Sequence, residues 1–192
     1  MYSLILDSAT STLYVALVND DKVLFERYVE GQKSHSKSIV SLVDEALKQN
    51  SIEAKDLDKI VIGHGPGSYT GVRMAVAVGK MMAVFMNKPL YEISTLILMA
   101  SGYKGVTLSL IDARRGNAFA GIYDYNISSW VKEEGMYEIN SLDNYEYGTK
   151  VTPMNMRVDA KYCVNHATKV KEPHLFVPNY LRDTEAERNL KW

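Results

Sequence analysis

Apolar and polar positions change rhythm several times along the chain, and each change marks an element. Ser3–Asp7 is a short apolar run and Thr12–Val18 is rich in β-forming residues. Val23–Tyr28 follows the polar turn Asn19-Asp20-Asp21-Lys22, and connections this short predict an antiparallel meander. Beyond Gly31 the period lengthens. Ser34 or Ser36 can cap a helix running to about Gln49, with Ile39, Val43, Ala46 and Leu47 at helical spacing. Ile60-Val61-Ile62 reads as a buried strand, broken by Gly63-His64-Gly65-Pro66-Gly67. A second helix is predicted from about Thr70 to Met86, stopped by Asn87 and Pro89. Leu90–Ile93 is another strand and Thr95–Ala100 a short helix. After Gly102 to Gly105, Val106–Asp112 and Ala118–Tyr123 read as a strand pair joined by Ala113-Arg114-Arg115-Gly116-Asn117. Asp124 to Trp192 is polar and weakly periodic, and the pattern places no element there.

Three strands, a helix, a strand, a helix and a strand fit a ribonuclease-H-like lobe; a dinucleotide-binding domain would begin strand–helix–strand. The expected division is residues 1–103 for this lobe and 104–192 for a smaller, divergent second lobe whose C-terminal segment docks back. No internal repeat is visible.

The second helix departs from the usual amphipathic pattern. Val72, Met74, Ala75, Val76, Ala77, Val78, Met81, Met82, Ala83, Val84, Phe85 and Met86 surround nearly its whole circumference. A helix on a sheet should carry one apolar stripe, so the surplus predicts cover by another chain. Ile39, Val43 and Leu47 of the first helix, with Val72, Val76, Met82 and Met86 of the second, are the expected interface. The methionines suit an adaptable contact, with a related chain or with a second copy.

Charge narrows the partners. The chain of 192 residues has a formal net charge of -1, too little to grip nucleic acid alone. If RNA is involved, a second protein supplies most of the positive surface. The single cysteine, Cys163, suits a reducing compartment, and the opening residues lack the basic start of a signal peptide, so a cytoplasmic location away from membranes is expected.

Candidate chemistry concentrates in Gly65–Arg73. Between a strand and a helix, such a turn is either a phosphate-binding loop or a structural device for close packing. Thr70 stands where the dinucleotide fingerprint needs its third glycine, Pro66 removes a donor, and the preceding meander favours the structural reading. Asp7, Gly65, Gly67, Ser68, Arg73, Asp112 and Arg114 are the residues that could contact an anion or nucleotide. Arg73 in the first turn of a helix opposes the macrodipole, so a salt bridge to Asp7 or Asp112 is expected. Histidines 35, 64, 166 and 174 include no i, i+4 pair, and no metal site is predicted.

Four segments together resemble the TsaB (YeaZ) family. They are Ile5-Leu6-Asp7-Ser8-Ala9-Thr10-Ser11 with Val15-Ala16-Leu17, Gly65-Pro66-Gly67-Ser68-Tyr69-Thr70-Gly71-Val72-Arg73, Asp112-Ala113-Arg114-Arg115-Gly116, and Pro178-Asn179-Tyr180-Leu181-Arg182 followed by Glu185-Ala186-Glu187. The second is the most specific, nine consecutive residues of the family pattern. The resemblance implies an α/β, two-lobed actin-like ATPase fold (the superfamily of actin, sugar kinases and Hsp70) with a reduced second lobe. It also implies a non-catalytic partner of the paralogue TsaD, joined by the ATPase TsaE, in making threonylcarbamoyladenosine next to the anticodon of tRNAs that read A-starting codons. Active members of the superfamily bring two glycine-rich hairpins to ATP phosphates. Here the matching turns are Asp7–Ser11, without glycine, and Asp112–Gly116, with one. The catalytic paralogue's metal-binding histidines correspond to Thr95 and Met99. No cofactor is expected. The alternatives are an ATP-dependent phosphotransferase or ATPase of the same superfamily and a glycoprotease-like metallopeptidase.

Overall fold

A computed structural model describes residues 1–31 and 35–181, without the side chains of residues 35–38. The first sheet begins with the expected meander: β1 (Tyr2–Asp7), β2 (Thr12–Asn19) and β3 (Lys22–Glu30), each antiparallel to the next. Helix α1 (His35–Gln49) leads to β4 (Lys59–Gly63), α2 (Tyr69–Phe85), β5 (Leu90–Ile93) and α3 (Thr95–Ala100). Strand β4 lies parallel to β1, and β5 parallel to β4. The order β5-β4-β1-β2-β3 is the ribonuclease-H-like arrangement that the element sequence implied.

Strands β1, β2 and β4 of this sheet are buried on both faces because two sets of helices claim alternate residues. Leu4, Leu6, Val15, Leu17, Ile60 and Ile62 face α1 and α2. Ile5, Tyr14, Ala16, Val18 and Val61 face the other way, toward α3 and a later helix, α4 (Ala160–His166). Burying each such aliphatic side chain stabilises the fold by roughly 1.5–3 kcal/mol before entropy is subtracted.

The second sheet contains β6 (Val106–Arg114), β7 (Asn117–Asp124), β8 (Ser129–Glu138) and β9 (Thr149–Val151), in the order β8-β7-β6-β9. Strands β6, β7 and β8 form an antiparallel meander, and β9 returns parallel to β6. That is the pattern of β3-β2-β1-β4 again, with a short 3-10 helix (Ile139–Asn144) where the first lobe has α1. The second lobe is therefore an abbreviated copy of the first, a repeat in topology that the sequence does not display.

The chain then returns to the first lobe. Helix α4 covers the first sheet, and β10 (Thr168–Lys169) adds an antiparallel edge strand to β5. The second sheet thus begins at Val106, and α4 and β10 pack with the first. Ser109 Oγ donates to Leu96 O at 2.8 Å and Tyr125 Oη to Ile97 O at 2.7 Å, tying the lobes through α3.

The interface predicted from sequence needs correction. Ile39, Val43, Leu47, Val72 and Val76 are buried in their own chain, and Met82 and Met86 pack half-buried on the same core. At 100° per residue, Val72, Val76 and Ala83 share the stripe that lies on the sheet. The outward stripe is instead Met74, Ala77, Met81 and Phe85, with Phe85 84% exposed.

Gly79 lies on the inward stripe, where an added Cβ would overlap Ile62 Cγ2. Alanine would gain about 1 kcal/mol in helix propensity but overpack a β-branched side chain at roughly 1–3 kcal/mol. Gly79→Ala should therefore lower stability in urea unfolding despite its better propensity. An unchanged or raised midpoint would mean that α2 has slack to move off the sheet.

Candidate functional site

The first two pattern segments of the sequence meet at the C-terminal ends of β1 and β4, where two turns press backbone against backbone. A Cβ on Gly67 would strike the carbonyl of Ala9, and one on Gly71 the carbonyl of Ser8. Only glycine permits this approach. The Ser68 amide donates to Ala9 O at 2.7 Å, and Ser68 Oγ caps α2 by accepting from the Gly71 amide. Ser8 is fully buried. Its hydroxyl donates to Gly71 O at 2.7 Å and accepts from the Ala75 amide at 3.1 Å. These are the two groups an ideal helix would join directly, so Ser8 is built into the first turn of α2.

Asp7 ends β1 directly beneath this contact and is 1% exposed. Its Oδ1 accepts from the Ala9 amide at 2.9 Å, and its Oδ2 accepts from Thr95 Oγ1 at 2.6 Å. Thr95 Oγ1 also accepts from the Gly65 amide at 3.2 Å, while the Thr95 amide donates to Gly65 O. A hydrogen-bonded chain therefore links the glycine turn, α3 and the β1–β2 turn through one carboxyl group. Burial pushes the Asp7 pKa up from 3.8 to about 6, with the Thr95 and Ala9 bonds opposing.

The expected salt bridge of Arg73 does not form. Arg73 is exposed and makes no ion pair among the described residues. Its Nε donates to Tyr180 Oη at 2.8 Å, and its guanidinium lies 4.1 Å from the Tyr69 ring centre. The two tyrosine rings are tilted by 32° with centres 5.0 Å apart. Asp7 is enclosed beneath the turn and cannot reach outward, so aromatic faces take the place of a carboxylate. Asp112 lies at the tip of the β6–β7 hairpin and accepts from the Arg114 amide at 2.8 Å. Arg114 and Arg115 adopt φ of 67° and 55°, and both side chains are exposed.

A strap of residues 170–181 closes the site from above. The Asn179 amide donates to His64 O at 2.8 Å, and a Cβ on Gly65, whose φ is +102°, would strike Asn179 O. Asn179 Nδ2 donates to Glu134 Oε1 at 2.8 Å, and Ser94 Oγ donates to Glu134 Oε2. Glu134 thus reaches from β8 in the second lobe to both the strap and the start of α3. Lys80 Nζ holds the strap further along by donating to His174 O and Phe176 O. Leu181 packs beside Ala113 and Met99, which brings the third and fourth pattern segments together.

Of the residues expected at an anion site, Asp7, Gly65, Gly67, Ser68 and Arg73 are neighbours, but the space between the two turns is filled by the chain's own backbone. Asp112 and Arg114 belong to the other hairpin. Thr95 and Met99, at the positions of the paralogue's metal ligands, are both fully buried. Among the described residues, no group of three His, Cys, Asp or Glu side chains could hold a metal ion. Asn179 and Tyr180 stood in a recognised sequence pattern without an assigned role, whereas nothing in the sequence pointed to Glu134. The side chain of His35 and the charged residues Arg182 to Arg188 lie outside the described residues.

His64 is mostly buried beside Glu92, Nδ1 to Oε2 3.8 Å, and burial lowers its pKa to about 4. It is neutral at pH 7, so this contact is not an ion pair there. Asp7 and His64 act oppositely on stability. The folded-state pKa of Asp7 is raised, so its contribution is complete below 3.8 and lost as pH rises through about 6. That of His64 is depressed, so its contribution is complete above 6.5 and lost as pH falls through about 4. Asp7→Asn should leave only the second, making stability rise from pH 4 to 6.5 more steeply than in wild type, by up to about 1.4 kcal/mol per pH unit. His64→Gln should tilt the curve the other way. Parallel urea-unfolding curves for wild type and Asp7→Asn would mean that Asp7 titrates as an ordinary carboxylate.

Comparison with known proteins accounts for this gathering of segments. The family model described as TsaD, tRNA N6-adenosine threonylcarbamoyltransferase, matches residues 29–161. The tRNA threonylcarbamoyladenosine biosynthesis protein TsaB of Bacillus subtilis (strain 168) is 35% identical over 128 residues, covering 65% of this chain and 56% of that protein. The TsaB protein of Escherichia coli (strain K12) is 32% identical over 140 residues, covering 70% and 60%. The chain thus spans less than two thirds of the length of these curated relatives. The solved structure of YeaZ from Pseudomonas aeruginosa superposes with a TM-score of 0.78 at 19% identity, over 94% of this chain and 99% of that one, which is a likeness of fold. By these matches the chain belongs to the TsaB/YeaZ family, within the group that the threonylcarbamoyltransferase model describes.

Proposed function

We propose that this chain is a non-catalytic subunit in the formation of threonylcarbamoyladenosine next to the anticodon of tRNAs that read A-starting codons, and that it works by holding the transferase TsaD in an active arrangement. TsaE joins as a third component, tRNA is met through the complex, and the chain pairs with itself when the transferase is lacking. Its place is the cytoplasm; among the described residues, no helix is long and apolar enough to cross a membrane.

The observation that carries this reading is the outer face of α2. Met74, Ala77, Met81 and Phe85 form one stripe pointing away from the core, with Met81 50% and Phe85 84% exposed. Such a stripe needs cover, and a flexible thioether surface can adapt to a related helix or to its own copy. The glycine turn supports the same reading. Its Gly65 and Ser68 amides are committed to Thr95 and Ala9, whereas a phosphate cradle needs such donors open. The rival phosphotransferase would have to displace Ala9 from Ser68 before a phosphate could approach.

The test is reconstitution of threonylcarbamoyl transfer with and without the chain. Omission should reduce transfer strongly, and Phe85→Glu should reproduce the omission while keeping the wild-type unfolding midpoint. Val76→Glu, buried on the inward stripe, should unfold the protein instead. Full transfer without the chain, or with folded Phe85→Glu, would contradict the proposal.

A further inference from the structure

Helix α2 carries two cations and no carboxylate between Tyr69 and Phe85. Lys80 is spent on the strap, where two carbonyl oxygens receive it. Arg73 is different. Tyr180 fixes its Nε, Tyr69 lies against its face, and the guanidinium stays at the surface without a carboxylate among the described residues. The group is pre-oriented by two side chains and, among the described residues, lacks an anion to answer its charge. It also stands at one end of the exposed stripe. Phe85 marks the other end, twelve residues or about 18 Å along the axis.

Taken together, the geometry points to Arg73 as the receptor for a carboxylate carried by a helix of the partner protein, one that lays an apolar face along Met74, Ala77, Met81 and Phe85. This rests on the reading of the α2 face given above and adds the charge that selects the occupant. A second copy of the chain covers the stripe but brings no acid of its own α2. The carboxylates of α1 are taken, Asp44 by Lys48 at 2.8 Å and Glu45 by Arg27 at 3.5 Å. Self-pairing through α1 and α2 therefore brings no free carboxylate from these helices to either arginine, and a partner helix with an Asp or Glu about three turns from its apolar end is preferred. Phosphate of RNA would satisfy Arg73 but has nothing to offer the apolar stripe beside it. Arg73 is a specificity-determining residue, and Tyr180 a positioning one.

The test titrates the transferase subunit into wild type, Arg73→Gln, Tyr180→Phe and Phe85→Glu by calorimetry at low and at raised salt, with sedimentation to follow self-association. Wild-type affinity for the transferase should fall as salt rises. Arg73→Gln should bind about tenfold more weakly at low salt and lose that salt dependence, while self-association stays unchanged. Tyr180→Phe, which keeps the ring and loses only the hydroxyl, should lie between the two. Equal affinity and equal salt dependence for Arg73→Gln and wild type, with Phe85→Glu impaired, would overturn the carboxylate receptor alone. Wild-type binding by Phe85→Glu would overturn the docking face with it. Because Arg73 is exposed, matching unfolding midpoints keep either result clear of misfolding.

Discussion

Two turns of main chain press directly against each other at the ends of β1 and β4. The glycine turn after β4 and the Ser8–Ala9 turn after β1 meet without side chains between them, joined by the Ser68 amide on Ala9 O. Much of the remaining architecture follows from that contact. Ser8 enters the first turn of α2 because the helix begins this close, and Asp7 is buried because the roof above it is backbone. Gly79 continues the close approach along β4, so α2 lies with one stripe of small and branched residues on the sheet. Large side chains of the same helix are left pointing outward.

A site of this kind holds elements in register and leaves the outer surface to interact. Thr95 shows the change of use most clearly. At the position where the resemblance places a paralogue's metal ligand, its hydroxyl receives the Gly65 amide and donates to Asp7. The strap adds a second fastening, with Asn179 joined to His64 below and to Glu134 across the lobes. Arg73 and Tyr180 end that fastening at the surface, beside the apolar stripe. The geometry supplies a fastened body with an exposed apolar stripe on α2.

Much of the first lobe was legible in the sequence because its signals are local. The meander, both long helices and the breaking glycines follow from alternation, helical spacing and turn chemistry. The orientation of α2 was not legible, since a helix apolar all round gives no phase; the structure moves the exposed set from Val72 and Val76 to Ala77, Met81 and Phe85. Arg73 escaped its expected ion pair because a sequence cannot show that Asp7 is sealed under backbone. Strand β8 was missed because an edge strand reading Ser-Trp-Val-Lys-Glu-Glu-Gly-Met-Tyr-Glu buries no residue fully and is bulged against β7, so its sequence carries no apolar alternation. The topological repeat of the second lobe escaped for a related reason: its α1 has shrunk to a single 3-10 segment.

The central claim is that the glycine turn is closed by the chain's own main chain. Calorimetric titration of the isolated protein with magnesium-ATP tests it most directly. No saturable heat and no turnover are expected, because Ala9 and Thr95 already hold the amides that a phosphate would need. Saturable micromolar binding that is lost when Ser68 or Gly67 is altered, accompanied by hydrolysis, would contradict it.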